Sequence, residues 1–131
     1  MPFKVSTFRT DSADGRNFVL AVEAVCWTDV RRVFERVVLP VGSTSDGGSI
    51  PEFLWSIPGF QPFGEFWRWY WLHDGLYRGE AITENAPWTR EDADRLLLQG
   101  MQATAMPLTL QEAIYRAVRD FGQPAWDRGH P

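Results

Sequence analysis

The sequence contains one cysteine, Cys26, and only two histidines, His73 and His130. A lone thiol can neither close an internal disulfide nor build a thiolate metal cluster, so Cys26 reads as a core thiol suited to a reducing compartment. No run of Lys and Arg occurs, and 13 basic against 17 acidic residues leave a net charge of -4. Neutralising a phosphate backbone requires clustered cations, so nucleic acid is not an expected partner. No apolar run approaches the roughly 18 residues of a membrane span, and no basic segment followed by an apolar one opens the chain. The expectation is a soluble protein without a transmembrane segment or export signal.

Aromatic side chains, by contrast, are abundant. They form 15% of the 131 residues, with seven Trp and nine Phe, so rings must build much of the core or of a contact surface. A chain of this length fits one domain and buries roughly two thirds of its unfolded surface. We therefore read 1–131 as a single unit of three parts: a β-meander over 1–42, a helical part over 50–122 and a tail over 123–131.

Short alternation from Phe3 to Thr10 predicts an edge strand that the Asp11–Gly15 turn cluster ends. Asn17–Trp27 is apolar on both sides apart from Glu23, the pattern of a central strand. Val33–Val41, rich in β-branched residues and closed by Pro40 and Gly42, is its partner. The stretch Thr44–Pro51 is too rich in Gly and turn formers for a strand or a helix. Either it connects sheet to helix, or Asp46, Gly47 and Gly48 supply oxygen ligands or oxyanion-binding amides. Three helices are predicted beyond it. One opens at Glu65 and closes at Gly79; one starts from a cap at Thr89; one begins at a Thr109–Glu112 capping box, buries Leu110, Ile114, Ala117, Val118 and Phe121, and stops at Gly122. Trp126 is expected to dock from the tail. The predicted class is α+β, a small antiparallel sheet packed against about three α-helices.

Chemistry concentrates in the first of those helices. At helical period Phe66, Trp69, Tyr70, His73 and Tyr77 share a face, and Asp74 is rotated about a quarter turn from His73. On the second helix Ala93, Leu96, Leu97 and Met101 form the buried stripe with Asp94 on its flank, so a hydrogen bond between His73 and Asp94 is predicted. Two readings stay open. His73 is a core histidine tying two helices together, or it is a neutral base with one nitrogen fixed by Asp94, the other free for water, and Asp74 beside an ion. Calcium or magnesium suits such oxygen ligands better than zinc, since no second interior His and no Cys pair is available. Ser49 lacks the Gly-x-Ser-x-Gly elbow of a nucleophile.

Two resemblances attach to these motifs. Ser45–Pro51, His73–Tyr77, Arg90–Asp94 and Tyr115–Trp126 together resemble a family of unknown function found in tailed bacteriophages and prophages, which implies a phage origin and localisation in the bacterial host cytoplasm or the virion. At the level of the site, His73, Asp74 and Tyr77 resemble the His-Asp-x-x-Tyr helix of phospholipases A2. That likeness implies a water-activating His73, a calcium ligand in Asp74 and an orienting acid in Asp94; Asp46–Gly47–Gly48 is a loose counterpart of the calcium loop. The expected function is thus a phage-encoded, metal-assisted hydrolase. Its alternative is a noncatalytic virion or tail-assembly protein, in which a surplus of rings at Trp55, Phe60, Phe63 and Trp67 meets other phage proteins, a second copy of the chain, or lipid.

Overall fold

A computed structural model describes residues 4–5, 10–11, 18–45 and 65–131. The loop residues Asp46, Gly47, Gly48 and Ser49, the rings Trp55, Phe60 and Phe63, and the Trp67 side chain lie outside what is described. The architecture is α+β. Strands β1 (Lys4–Val5), β2 (Thr10–Asp11), β3 (Phe18–Leu20), β4 (Ala24–Thr28), β5 (Glu35–Leu39) and β6 (Thr44–Ser45) precede α1 (Glu65–Tyr77). After it come β7 (Ile82–Thr83), α2 (Arg90–Ala103), α3 (Leu108–Phe121) and α4 (Gln123–Gly129). All strand pairs are antiparallel, in a four-stranded sheet ordered β1-β4-β5-β7 and a three-stranded sheet ordered β2-β3-β6.

The long strand expected over Asn17–Trp27 is divided between these sheets. Ala24 pairs with Leu39 and Thr28 with Glu35, while Phe18 pairs with Ser45 and Val19 with Thr44. Pairing thus resumes in one register after a gap at Ala21–Glu23. Opposite that gap lies Pro40, which has no N–H to donate, followed by Gly42 at φ 91°, a conformation that favours glycine. Bonds from the Gly42 N–H to the Leu20 carbonyl and from the Leu20 N–H to the Ser43 carbonyl re-form the ladder beyond the kink. The meander expected as one sheet is therefore a bent hairpin feeding two. β7, between α1 and α2, adds an edge strand against Val37 and Val38.

Helix α1 sits between the sheet and α2, and its composition explains why. Trp69, Trp71, Leu72, His73, Leu76 and Tyr77 are all buried, leaving little of the described helix for solvent. Gly75 lets it lie on Leu39 of β5, and Gly100 of α2 accepts the Trp69 ring; a Cβ at either position would overlap those side chains. Trp71 satisfies its indole N–H on the Ser43 hydroxyl at 3.1 Å. The helix ends as expected at Gly79, φ 73°. The Gly79 N–H bonds the Leu76 carbonyl and the Glu80 N–H the Gly75 carbonyl, the paired bonds of a glycine C-cap.

Thr89 caps α2 in a reciprocal capping box with Asp92, and Ala93, Asp94, Leu96, Leu97, Gly100 and Met101 form its buried stripe. α3 departs from expectation. It begins at Leu108 from Pro107, so Thr109 lies inside the helix and makes no cap. The Gln111 side chain instead reaches back to the Met106 carbonyl at 2.7 Å and fixes the turn. Leu110, Ile114 and Val118 pack against the core, but Ala117 is exposed and Phe121 is 80% exposed. Arg90, the first residue of α2, already bonds the Val118 and Arg119 carbonyls, and Phe121 falls beyond that junction. The segment 123–131, expected as a tail, is mostly α4, a fourth helix with Pro124 in its first turn, where proline is tolerated.

At the other end of the sheet Glu35 is 1% exposed and bound by both arms of Arg31, at 2.9 and 2.7 Å. Asn85 adds a third bond at 3.3 Å, Arg31 also bonds the Ala86 carbonyl at 2.9 Å, and its guanidinium lies over Trp88. Among the described residues no helix is long and apolar enough to cross a membrane.

Candidate functional site

His73 and Tyr77 stand one turn apart on α1, on the side facing α2, so that both reach Asp94 across the helix interface. His73 Nε2 lies 2.8 Å from Asp94 Oδ1, and the Tyr77 hydroxyl donates to the same oxygen at 2.6 Å. The other oxygen faces two cations: Arg119 Nη1 of α3 at 2.7 Å and Arg90 Nη1 of α2 at 3.5 Å. Arg90 also satisfies two carbonyls in the last turn of α3, where cations complement the helix dipole. Asp94 is 0% exposed and His73 4%, so the carboxylate joins three helices in a medium where each charged hydrogen bond counts for more than it does in water.

Burial pushes the Asp94 carboxyl upward, and the bonds from His73, Tyr77 and Arg119 more than offset it, so the group sits below the usual carboxylate range. Burial, and then donation to that carboxylate, raises the Tyr77 phenol well above its ordinary value. The bond to Asp94 likewise strengthens the hold of Arg119 on its proton. An ionised Asp94 can only accept, so His73 must donate from Nε2. A neutral His73 then carries its lone pair on Nδ1. That atom is closed to solvent and has no hydrogen-bond partner among the described residues. A buried acceptor left unsatisfied costs about 1–3 kcal/mol, so its persistence here marks either strain or a position reserved for a ligand.

The ring's surroundings are aromatic. Tyr77 lies 4.3 Å from the imidazole, centre to centre, tilted at 38°, and Tyr70 meets it edge-on at 6.0 Å. Asp74 points elsewhere: half-buried, it lines an open groove of about 400 Å³ with Tyr77, Arg78, Glu80, Ala125, Arg128 and Gly129. The structure thus brings together His73, Asp94 and Tyr77 and places Asp74 on the adjoining side of α1. Asp46, Gly47 and Gly48, expected beside Asp74, are outside the described residues.

Sequence reasoning missed the two arginines and the C-terminal helix. Arg90 had a local signal, since it precedes Asp94 by four positions on one helix. Arg119 had none, because its contact depends on how α3 crosses α2.

The chain belongs to a family of proteins of unknown function, DUF1353, whose model matches residues 19–118. His73, Asp74, Tyr77, Arg90 and Asp94 fall inside the match, whereas Arg119 and α4 follow it. Over 88 residues the chain is 33% identical to the uncharacterized protein y4jT of Sinorhizobium fredii, which covers 67% of this chain and 24% of that protein. The chain therefore spans at most about a quarter of that relative in the matched part. No solved structure matches the chain.

Proposed function

We propose that this protein is a hydrolase of acyl esters in which His73 is the general base and Asp94 and Tyr77 hold its ring. The observation that carries the reading is His73 Nδ1, buried and with no hydrogen-bond partner among the described residues, on the ring edge opposite the Nε2···Asp94 contact. A water bonded to Nδ1 would lose a proton to it as the water oxygen adds to the acyl carbon. The resulting imidazolium lies beside the Asp94 carboxylate, which stabilises the charge. Collapse of the tetrahedral intermediate breaks the ester C–O bond, and the Nδ1 proton passes to the departing alkoxide.

Calcium beside Asp74 and a phospholipid substrate belong to the fuller form of this proposal, supported by the order His73-Asp74-x-x-Tyr77 on a helix followed by Asp94 on the next. Among the described residues no three His, Cys, Asp or Glu side chains converge on one point. No step above is routed through a calcium ion.

A second reading, a noncatalytic component of a phage virion or tail, draws on other observations. Closure of Nδ1 to solvent and the tying of three helices through Asp94 suit a purely structural knot. Phe34 and Phe121, 58% and 80% exposed, are rings available to a protein partner.

Hydrolysis of p-nitrophenyl esters and of phospholipid vesicles, with and without millimolar calcium, separates the two. The expected result is turnover that His73→Gln lowers by about a hundredfold or more while its circular dichroism stays that of the parent. A folded parent inert toward every ester, or a His73→Gln variant as active as the parent, overturns the enzyme reading.

A further inference from the structure

Helix α4 runs along a single residue of the site. At its start, the Gly122 cap lies against the Tyr77 hydroxyl, the Val118 carbonyl and Arg90, and a Cβ there would collide with the hydroxyl and the carbonyl. The φ of Gly122 is -80°, which any residue adopts, so what this glycine supplies is space. Midway, the Trp126 indole meets the Tyr77 ring edge-on, 5.4 Å between centres at 87°. At its end, Gly129 rests on the Tyr77 carbonyl and the Arg78 backbone, again with no room for a Cβ. His130 then stacks on Trp126 at 3.8 Å and 16° and bonds the Leu76 carbonyl through Nε2 at 2.9 Å. Hydroxyl, ring and main chain of Tyr77 are thus each met by a different part of the segment 122–129, the seven-residue helix α4 and the Gly122 cap before it.

We infer that α4 is a positioning element of the His73 site, with Gly122 and Trp126 holding the Tyr77 hydroxyl on Asp94 Oδ1 and so fixing which nitrogen of His73 is bonded. The inference rests on the reading of His73 as a base and adds to it a part of the chain beyond residues 19–118, where the family match ends. The physical link is a shared acceptor. Asp94 Oδ1 takes both the Tyr77 hydroxyl and His73 Nε2, so a displaced tyrosine frees that oxygen to shift and loosens the imidazole with it. The His73 ring meets Tyr70 and Tyr77, and Gly122 and Trp126 act on it through Tyr77.

The test uses the whole chain and reads geometry independently of turnover. Nitrogen-15 NMR of the imidazoles distinguishes the two tautomers, and with two histidines in the chain the His73 signals are assigned by their loss in His73→Gln. The parent is expected to show His73 as the Nε2–H tautomer with a slowly exchanging proton. In Gly122→Ala and in Trp126→Ala the tautomers should mix and that proton exchange about tenfold faster with water, while Trp126→Phe, which keeps a ring against Tyr77, restores the parent pattern. If Gly122→Ala does not fold, the two Trp126 variants still decide the matter. A parent without the Nε2–H tautomer would defeat the base reading itself. A parent that has it, together with a folded Trp126→Ala whose His73 signals are unchanged, defeats the role of α4 alone.

Discussion

Glu35 and Asp94 are both buried carboxylates, 1% and 0% exposed, yet they are held in different ways. Glu35 is bound by Arg31, four positions before it in the chain, in a two-armed pair that Asn85 completes. The carboxylate is met by groups of matching chemistry, although the indole N–H of Trp88, under the Arg31 guanidinium, is buried with no hydrogen-bond partner among the described residues, and the result joins the sheet to the 84–88 loop. Asp94 instead gathers donors from three helices, and one of them, His73, keeps its second nitrogen buried and without a hydrogen-bond partner among the described residues. Burial of a carboxylate with arginine is therefore not what marks a site in this fold. What differs is the kind of atom left over among the described residues: beside Glu35 an indole N–H that can only donate, beside Asp94 an imidazole nitrogen that can take a proton.

Removing the acid at the site should have the largest effect. Asp94→Ala strands Arg119 and Arg90 around an emptied buried position, and a loss of about 3–5 kcal/mol is expected, measurable by urea unfolding and accompanied by loss of any esterase activity. A change below 1 kcal/mol would mean that Asp94 does not hold the three helices together.

The arginines sharpen the contrast. Arg31→Met leaves Glu35 without a cation and should cost about 3 kcal/mol with turnover unaltered. Arg119→Met leaves Asp94 with His73, Tyr77 and Arg90, and its side chain is 30% exposed, so about 1 kcal/mol is expected. Equal costs for the two variants would contradict the redundancy seen around Asp94.

Acid is the gentlest probe. Arg31 foremost holds the Glu35 carboxyl below its usual range, and Asp94 is also lowered, the bonds it receives outweighing burial. A depressed folded value means that each group's contribution is complete above its unfolded pKa, near about 4, and is lost as pH falls through the lower folded value. The acid limb of the unfolding midpoint against pH should flatten by about one proton in Asp94→Asn and likewise in Glu35→Gln. A limb unchanged by either substitution would show that the carboxylate concerned gains nothing from its partners.

Much of the framework follows from local pattern. The span of α1, its stop at Gly79, the cap at Thr89, the inward stripe of α2 and the approach of Asp94 to His73 were legible because residues three and four apart share a helix face, and because a cap is satisfied within its own turn. The signals for the hairpin kink, Pro40 and Gly42, were also present, but the division into two sheets was not. Whether a strand continues past a break depends on what its partner can donate, and here Pro40 donates nothing opposite Glu23.

The expected burial of Phe121 and the capping box at Thr109 failed for a related reason. Periodicity says which residues share a face, and only the crossing of α3 with α2 says how far along that face the cover extends. The same holds for the site. His73, Tyr77 and Asp94 could be named from sequence, whereas Arg119 on the second carboxylate oxygen and α4 along Tyr77 could not. Contacts between positions some 25 to 50 residues apart leave no periodic trace, and they arise only when packed helices carry those side chains to one point.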